Sequence, residues 1–587
     1  TQQLQRAGTM ICALEIVRQE NIQLLGDNLF TLGLWVGQDS SPNRFTSGDM
    51  DRPAALEKWE FMYEEDEPEN PFQLQHCPWC GTKIVPIKKS TDKLDYGVRA
   101  TEASFDFFCP SDNCDFHDFL PVQVVDEALY KNPPSMLIGT IDKFARLAWV
   151  SNCQSFFGNN GEYNPPSLII QDELHLISGP LGTIAGIYEA GLDALIKHLG
   201  GRTKVIAATA TIRAATQQSR RLFGREVQVF PPSGIDEADS FFSREDKSSP
   251  GRLYLGVMPS GQTGQTALVQ TTAALLQAPI ETSQKGEALD TWWTLPIYHN
   301  SRRELGKTMT LARDDIPSRI EVIATDKKNI RKCEVVEELS ANVKGYQIPE
   351  VLEKLKLSVN NNGTIDILPC TNMISVGVDI SRLGIMLING QPKTTSEYIQ
   401  ASSRVGRDKN RSPAIILTLF SPSKPRDRSH YEVFNTYHQS LYRYVEPTSI
   451  TPWALPARDR ALHAALVELV RLSEYLLDND QAGGFDKSAP EFKPLYVNLK
   501  SRILDSAADM DQSEIDKIVA HLDALVDQWH HSARDGDVNR YESEKSGQQF
   551  NPLLKSFGKK NNKGIWNTLN SMRNVDTETL INVWGED

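Results

Sequence analysis

One short stretch, SLIIQDELHLISG over residues 167–179, constrains the fold of this chain more than any other feature. Residues 168–170 are Leu-Ile-Ile, which neither alternate with polar residues nor include turn formers. They therefore predict a strand that is covered on both faces. Such strands belong to parallel α/β sheets, in which ligands bind at the carboxyl ends of the strands. Asp172 and Glu173 follow at that end, and we expect them to lie at a ligand site.

The rest of the chain alternates strand-like and helix-like stretches, which predicts an α/β fold. A helical stretch and a second apolar strand, TKVIAATAT, follow the first strand, as in a βαβ unit. A zone rich in Pro, Gly and Ser from about 231 to 264 marks a boundary, after which the alternation resumes. We expect a first parallel-sheet lobe with an insertion, a second lobe in tandem, and a mainly helical C-terminal region. The predicted ranges, in that order, are 1–230, 72–121, 231–425 and 426–587.

Composition limits the classes of protein to which the chain can belong. Its 587 residues suffice for two to four domains. No apolar run approaches the roughly 18 residues of a membrane span, and no signal peptide is evident. The opening, TQQLQRAGTM, reads as a helix already in progress, so we expect a piece of a longer chain. Four of the eight cysteines are scattered, which favours a reducing cytoplasm. The net charge of -14 opposes diffuse binding to nucleic acid but leaves a basic groove open.

The acidic pair has a chemical interpretation. One carboxylate, Asp172, can hold Mg²⁺ through water, because Mg²⁺ takes few carboxylates and keeps its own waters. The other, Glu173, can orient the water that attacks a γ-phosphate. His175, two residues on, can pass the state of a nucleotide to its neighbours. The alternative is a solvated strand end that is followed by a core-facing helix.

Two further segments carry polar residues at predicted strand ends. In ATAT, Thr209 and Thr211 can bridge the carboxylates to the second lobe, although a Thr-rich turn explains the pattern equally well. In TNMISVGVDI, Gly377 permits close approach of the backbone, and Asp379 can hold a ribose hydroxyl. Thr371 opens the same segment.

The segment QASSRVGR contains Gln400, Arg404 and Arg407. Two arginines three residues apart on a helix share a face. An arginine supplied to a phosphoryl-transfer site offsets the charge that develops in the transition state. The alternative is a basic helix end at the surface.

Taken in order, these segments resemble the motifs of the superfamily 2 helicases. DELH resembles motif II, ATAT motif III, YHNSRREL motif IV, TNMISVGVDI motif V and QASSRVGR motif VI. GTIDKF and TQQLQRA resemble two motifs of the first lobe. The resemblance covers about residues 1–425. It implies two RecA-like lobes with ATP and Mg²⁺ between them, the acidic pair on one side and Gln400, Arg404 and Arg407 on the other. Ser403 departs from the pattern, since motif VI usually has Gly there.

The same resemblance implies that single-stranded DNA crosses both lobes. Thr140 in GTIDKF, Arg302 and Arg303 in YHNSRREL, and Thr371 are then the candidate contacts. They would touch phosphates rather than bases and would carry no sequence preference.

A phosphate loop of the form Gly-x-x-x-x-Gly-Lys-Ser/Thr is absent from the sequence. PSGQTGQTA at 259–267 has Gln265 in place of Lys, and the GKT at 306–308 lacks the earlier Gly. In the family this loop precedes the motif that TQQLQRA resembles. We therefore expect it in an N-terminal part that precedes this chain, and we expect the present piece alone to be inactive.

The spacing of four cysteines predicts a metal site. CPWC supplies Cys77 and Cys80, and CPSDNC supplies Cys109 and Cys114 after 28 intervening residues. This set can form a closed tetrahedral zinc site of structural type. His117 is a less favoured fourth ligand, and unrelated buried thiols or a redox pair are the alternatives.

Within the superfamily, QDELHLISGPLGTIAGIYE, the cysteine insertion and NGQPKTTSEYIQASSRVGR are similar to the helicases of bacterial DISARM anti-phage systems. This implies a cytoplasmic ATP-dependent DNA motor with a protein partner, DrmB. A non-catalytic scaffold that binds nucleic acid is the rival interpretation, and a zinc nuclease is disfavoured because the cysteine set looks closed. RDRSHYEVFNTYHQSLYRYVEPTSITPWA extends the likeness, but its aromatic and basic residues fit helix packing as well as a DNA surface.

Overall fold

The structure is a computed structural model that describes residues 2–573 apart from internal gaps. The gaps are 48–51, 159–162, 210–214, 233–234, 237–238, 240, 243, 245, 247, 249–250, 344–346, 376–378, 412, 447–448, 543–550 and 559–563. The described residues form two compact units. One comprises Gln3–Val229 with the described part of Pro447–Asp587, and the other comprises Phe230–Glu446.

The N-terminal part of the first unit is built from short parallel strands and flanking helices. Its strands are β1 (Leu32–Trp35), β2 (Val98–Ala100), β3 (Phe105–Phe107), β4 (Val122–Gln123), β5 (Met136–Gly139), β6 (Leu168–Gln171) and β7 (Lys204–Ala207). Its helices are α1 (Gln2–Glu20), α2 (Ile22–Leu25), α3 (Ala55–Glu64), α4 (Asp126–Lys131), α5 (Gly179–His198) and α6 (Ala215–Phe223). Within the described residues, β4-β1-β5 form one parallel sheet and β6-β7 form another, while β2 and β3 pair antiparallel inside the cysteine insertion.

Strand β6 is covered on one face only, so the expectation of two covered faces is wrong. Ile169 and Val205 pack against the same hydrophobic core as α5. On the opposite face, Leu168 is 46% exposed and Ile170 is 57% exposed. The reason is that the described residues supply a helical layer on only one side of this strand pair.

The second unit contains a parallel sheet in the order β10-β9-β11-β12-β8. Its strands are β8 (Arg252–Val257), β9 (Leu295–His299), β10 (Ile367–Cys370), β11 (Ile385–Asn389) and β12 (Ala414–Leu419). Its helices are α7 (Gly264–Glu281), α8 (Gly286–Thr291), α9 (Arg302–Arg313), α10 (Asp315–Ile323), α11 (Ile348–Lys356), α12 (Thr395–Ser402), α13 (Pro425–Glu432) and α14 (Phe434–Gln439).

The central strands of this sheet are buried on both faces. Along β11, Ile385 and Leu387 enter one hydrophobic cluster, while Met386 and Ile388 enter another. Successive side chains of a strand point to opposite faces, so two clusters on alternate residues mean two covered faces. This is the arrangement of a parallel α/β sheet with helices on both sides.

The C-terminal region is mainly helical and shares its core with the first unit. It contains α15 (Leu455–Leu472), α16 (Phe492–Ser506) and α17 (Gln512–Arg534), followed by the paired strands β13 (Leu554–Ser556) and β14 (Trp566–Thr568). Helix α15 is buried around most of its circumference and packs closely on α5, where a Cβ at Gly191 would overlap the Glu468 carboxylate. One continuous hydrophobic cluster runs from Trp35 to Met572.

The fold class expected from the sequence is confirmed. Parallel α/β architecture is present in both units, the cysteine cluster lies in the N-terminal region, and the C-terminal region is helical. None of the described helices combines the length and the apolar character that crossing a bilayer requires.

Candidate functional site

The acidic pair lies in a tight turn at the carboxyl end of β6. Glu173 has φ 50° and ψ 49°, a left-handed conformation that is uncommon for a residue with a side chain. The Asp172 carboxylate stabilises this turn, because its Oδ1 accepts a hydrogen bond from the Glu173 amide at 3.0 Å. Its Oδ2 accepts from Gln3 Nε2 on α1 at 2.5 Å. Asp172 is exposed, so its carboxylate remains accessible to solvent at the edge of the sheet.

This turn is bonded to the end of the neighbouring strand β7. The Leu174 amide donates to the Ala208 carbonyl, and the Ala208 amide donates to the Gln171 carbonyl, each at 2.9 Å. The buried His175 has its Nδ1 3.0 Å from Thr209 Oγ1 and 3.4 Å from Glu173 Oε2. The predicted residues Asp172, Glu173, His175 and Thr209 are thus brought together, whereas Thr211 lies outside the described residues.

Gln218, which the sequence analysis did not identify, stabilises this turn through hydrogen bonds to two of its carbonyl groups. Gln218 on α6 is 2% exposed, and its Nε2 donates to the Leu174 carbonyl at 3.2 Å and to the Ile177 carbonyl at 2.9 Å. A single buried Gln on an amphipathic helix gives no signal of such a role in the sequence. Its position is set by tertiary packing alone.

The arginines of QASSRVGR lie in a turn rather than on a helix, which corrects the expectation of a shared helix face. Helix α12 ends at Ser402, and Gly406 has φ 66° in the turn that follows. Arg404 is 9% exposed, and its Nη2 donates to the Ser375 carbonyl. Arg407 Nη1 donates to Asp379 Oδ1 at 2.7 Å.

These two bonds join the two predicted motifs of the second unit. The turn after α12 is tied to the segment around residues 375–379, and Gln400 lies buried on α12 itself. Gly377 lies outside the described residues. Ser403 is accommodated without strain because its φ is -74°, and its hydroxyl donates to the Gln400 carbonyl at 2.9 Å. A glycine is not required there.

The candidate nucleic-acid contacts fall at carboxyl ends of strands. Arg302 and Arg303 open α9 directly after β9, and Thr371 follows β10, which is the parallel neighbour of β9. Carboxyl ends of parallel strands meet at one sheet edge, so the three residues share that edge. Both arginines are exposed, but Thr371 is only 9% exposed. Arg302 Nη1 donates to Asn342 Oδ1 at 3.2 Å.

In the first unit, Thr140 is exposed at the end of β5. The loop that follows it is held by the last described residues of the chain. Asp142 Oδ1 accepts from Ser571 Oγ at 2.8 Å and Asp142 Oδ2 pairs with Arg573 Nε at 2.9 Å. Trp149 Nε1 donates to the Leu569 carbonyl at 2.9 Å.

The four predicted cysteines form one cluster. Their sulfur atoms all lie within 4.8 Å of one another, with Cys77 Sγ 3.8 Å from Cys114 Sγ and Cys80 Sγ 3.4 Å from Cys109 Sγ. Four thiolates about 2.3 Å from one zinc ion in a tetrahedron stand about 3.8 Å apart, so the donor set fits a single zinc ion. A multinuclear iron–sulfur cluster would hold the sulfur atoms farther apart.

The cluster is assembled by two backbone turns. Gly81, at φ 80°, closes the first turn, and its amide donates to the Cys77 carbonyl at 3.0 Å. His117 is directed away from the sulfur atoms, since its Nδ1 lies 3.0 Å from the Cys109 carbonyl oxygen. Burial raises the pKa of Cys114 to about 11. Burial also opposes ionisation of Cys80, but hydrogen bonds to Thr82 and to neighbouring thiols lower its pKa to about 7.

Comparison with known proteins gives the following similarities. The family model described as "Helicase conserved C-terminal domain" matches residues 302–409. The chain is 37% identical to the DISARM protein DrmA of Bacillus paralicheniformis, in a match that covers 100% of this chain and 55% of that protein. The chain thus spans little more than half of the length of this relative.

Two solved structures are also similar to the chain. The DUF1998 helicase MrfA bound to DNA matches 84% of this chain and 50% of its own, at 15% identity and a TM-score of 0.45. The helicase Lhr of Mycobacterium smegmatis, bound to single-stranded DNA and AMP-PNP, matches 68% of this chain and 42% of its own, at 17% identity and a TM-score of 0.43.

Proposed function

We propose that this chain is a superfamily 2 helicase and that it provides the motor of an ATP-dependent DNA helicase or translocase in bacterial DISARM anti-phage defence. A relative that matches the whole chain is the DISARM protein DrmA. The observation that carries the proposal is the acidic turn at the end of β6, which is hydrogen-bonded to the end of β7 through Leu174, Ala208 and His175. In this arrangement, a change at the acidic turn when a nucleotide binds or is hydrolysed would be transmitted through these hydrogen bonds to the end of β7.

The acidic residues divide the work of phosphoryl transfer. Mg²⁺ bound with ATP neutralises charge on the phosphates. Asp172, which is exposed, would hold that ion, and Glu173 would orient the attacking water. His175 would report the change to Thr209, since its ring is within hydrogen-bond distance of both Thr209 and the Glu173 carboxylate.

The second unit supplies positive charge to the same nucleotide in this proposal. A guanidinium group stabilises charge that develops in the transition state only if it is already oriented. Arg404 is held by the Ser375 carbonyl and Arg407 by Asp379, and these contacts fix both side chains before any ligand binds. Asp379 and Gly377 would contribute to binding of the nucleotide, with Gln400 nearby.

We further propose the remaining roles. Single-stranded DNA is held through its phosphates by Thr140, Arg302, Arg303 and Thr371, while Thr209 and Thr211 couple the two units. Cys77, Cys80, Cys109 and Cys114 hold a structural Zn²⁺, which stabilises the fold of the insertion. The protein acts in the cytoplasm with DrmB as partner.

The decisive experiment is ATP hydrolysis by the full-length protein with and without single-stranded DNA. We expect DNA to stimulate turnover. Glu173→Gln should retain ATP binding and lose turnover by about 100-fold or more, because an uncharged side chain cannot orient the nucleophile in the same way. Glu226→Gln, at an exposed carboxylate of the same unit, is the matched control and should behave as the wild type. Unchanged turnover in Glu173→Gln would remove this residue from the mechanism.

A non-catalytic scaffold that binds nucleic acid is the second candidate. It is favoured by one observation, which is that the 587 residues contain no Gly-x-x-x-x-Gly-Lys-Ser/Thr sequence. The same assay separates the two candidates. DNA binding by the full-length protein without any ATP hydrolysis would select the scaffold.

A further inference from the structure

Helix α1 contacts both the cysteine insertion and the acidic turn that follows β6. From Gln3 onward, all three features belong to the first unit. Neither the structural role of the insertion nor the roles given to Asp172 and Glu173 explain why one helix should join them. The contacts along α1 indicate a mechanical link from the cysteine cluster to the acidic turn.

One side of α1 is docked on the CPWC turn of the insertion. Thr9 Oγ1 donates to the Pro78 carbonyl at 2.9 Å. Gly8 permits this approach, because a Cβ there would lie only 2.9 Å from Pro78 Cγ. Pro78 stands between Cys77 and Cys80, two of the four clustered cysteines. Helix α1 therefore rests directly on the turn that presents their sulfur atoms.

The same helix shares a hydrophobic core with the insertion. Leu4, Ile11 and Cys12 are at most 2% exposed, and they belong to one cluster with Cys77 and Cys114. Protein cores are close-packed, so a shift of the insertion displaces the helix that packs on it. Leu4 comes directly after Gln3 in the sequence. The shared core thus holds the end of α1 that contacts the acidic turn.

At that end, Gln3 holds the carboxylate of Asp172. Gln3 Nε2 donates to Asp172 Oδ2 at 2.5 Å, while Oδ1 accepts from the Glu173 amide at 3.0 Å. Hydrogen bonds to an ionised acceptor are among the stronger ones in proteins. Because the two donors engage different oxygens, they fix the rotation of the carboxylate about its Cβ–Cγ bond. Gln3 therefore helps to set the direction in which the remaining lone pairs of Asp172 point.

Helix α1 is long and regular enough to pass on its position. Gln3 and Thr9 lie six residues apart in it, which is about 9 Å along a helix axis. Over that length a helix with intact backbone hydrogen bonds moves as a rigid body. The last turn is held separately, because Arg18 Nη1 donates to the Gly26 carbonyl at 3.0 Å. A displaced insertion would therefore move α1 mainly at the end that carries Gln3.

We infer that Gln3 is a positioning residue for the proposed reaction and that the cysteine insertion, acting through α1, sets where Gln3 lies. The insertion then does more than stabilise its own fold, because its state determines how the Asp172 carboxylate is oriented. That orientation matters because Mg²⁺ demands near-ideal octahedral geometry from its ligands and bound waters. This inference rests on the proposed ATPase function.

The first test removes the hydrogen bond from Gln3. Mn²⁺, a paramagnetic substitute for Mg²⁺, is titrated into the full-length protein with a non-hydrolysable ATP analogue, and electron paramagnetic resonance follows the bound ion. We expect Gln3→Ala to raise the Kd for Mn²⁺ about 3- to 10-fold, as the loss of one exposed hydrogen bond predicts. The Mg²⁺ concentration that gives half-maximal ATP hydrolysis should rise by the same factor. Gln19→Ala, at an exposed residue in the last turn of α1, is the control and should match the wild type.

The second test keeps Gln3 and disturbs the docking of α1 on the insertion. Gly8→Ala places a Cβ against Pro78 and should raise the Kd for Mn²⁺ in the same direction, while the protein retains about one zinc ion per chain. The double variant Gln3→Ala/Gly8→Ala should bind Mn²⁺ no more weakly than Gln3→Ala alone, because both changes act through one hydrogen bond. Gly37→Ala is the control, since a Cβ there would meet no atom within 4 Å.

The outcomes separate the inference from the function on which it rests. An unchanged Kd for Mn²⁺ in Gln3→Ala would overturn the positioning role and leave the proposed function standing. Additive effects in the double variant would show that the insertion acts independently of Gln3, which would overturn the link through α1. Absence of ATP hydrolysis in the wild type would overturn the proposed function, and the inference with it.

Discussion

At the scale of single residues, the groups that matter most are those that bond over long sequence distances. Gln218 fixes the turn behind Asp172 and Glu173 through two carbonyl groups that lie more than 40 residues away. Its removal would leave the buried Ile177 carbonyl without this hydrogen bond, at a cost of about 1–3 kcal/mol, whereas the Leu174 carbonyl would keep the bond from the Ile177 amide. Glu446 likewise bonds over a long sequence distance, because its carboxylate accepts a hydrogen bond from the amide of Thr395, the first residue of α12. Such roles follow from the fold and not from the identity of the residue.

A buried carboxyl group gives a prediction of pH dependence. Glu468 on α15 is 0% exposed, and within the described structure neither of its carboxylate oxygens has a hydrogen-bond partner. Burial, and then the neighbouring Glu189, raise the pKa of Glu468 well above its ordinary value, and burial raises the pKa of Glu189 to about 7. A group with a raised pKa in the folded state contributes stability below its unfolded pKa of about 4.3, and this contribution is lost as the pH rises.

We therefore expect Glu468→Gln to have a higher Tm than the wild type, by a margin that widens from pH 5 to pH 8. Each such group can lower the free energy of unfolding by up to about 1.4 kcal/mol per pH unit. Thermal unfolding of both proteins across this range measures the margin, with Glu432→Gln as the control. A margin that does not change with pH would show that Glu468 is ionised in the folded protein.

At the scale of elements, the loop after β5 depends on a buried ion pair. Lys143 Nζ lies 2.5 Å from Asp126 Oδ2 on α4, and the two side chains are 7% and 4% exposed. This pair joins the loop that begins at Thr140 to helix α4. Burial raises the pKa of Asp126 even though Lys143 opposes the shift.

Removal of one partner should be more harmful than removal of both. We expect Asp126→Asn to lower the free energy of unfolding by about 3–5 kcal/mol, because it leaves a buried ammonium group uncompensated. The double variant Asp126→Asn/Lys143→Met should recover most of this loss. Urea denaturation measures both values, and Asp118→Asn, at an exposed carboxylate, is the control. Equal losses in the single and double variants would show that the pair itself stabilises the loop.

The cysteine insertion gives a second prediction at this scale. The purified full-length protein should contain about one zinc ion per chain, as a closed Cys₄ site requires. Cys114→Ser should lose the metal, whereas His117→Ala should retain it, because the imidazole is bonded to a carbonyl group and not directed at the sulfur atoms. Metal analysis of the three proteins decides the ligand set. Loss of zinc from His117→Ala would replace one cysteine by His117.

At the scale of the whole molecule, the net negative charge makes the salt dependence of DNA binding informative. The chain has a net charge of -14, so any affinity for DNA must come from local positive groups. If Arg302 and Arg303 bind phosphates, the double change to Ala should reduce the salt slope of single-strand binding by about 0.7 for each phosphate that is no longer neutralised. Arg313→Ala, at the far end of the same helix, should leave the slope unchanged. Fluorescence anisotropy at several salt concentrations measures it.

Much of this molecule could be predicted from the sequence, because the strongest signals are local. The strand before the acidic pair, the parallel sheet of the second unit, the helical C-terminal region and the cysteine cluster all follow from short-range pattern and spacing. The exposed face of β6 could not be predicted, since burial depends on what else packs there. The turn that carries Arg404 and Arg407 could not be distinguished from a helix, because a three-residue spacing of two arginines occurs in both.

The segment that reaches from Leu569 to Arg573 has a practical consequence. Its hydrogen bonds with Asp142, Arg146 and Trp149 join positions that are at least 420 residues apart in the chain. Cleavage of the chain before Leu569, by a protease or by the choice of an expression boundary, would therefore remove the hydrogen bonds that hold the loop of residues 141–149. If Thr140 contacts DNA as proposed, such damage would weaken the binding of single-stranded DNA and leave both sheets intact.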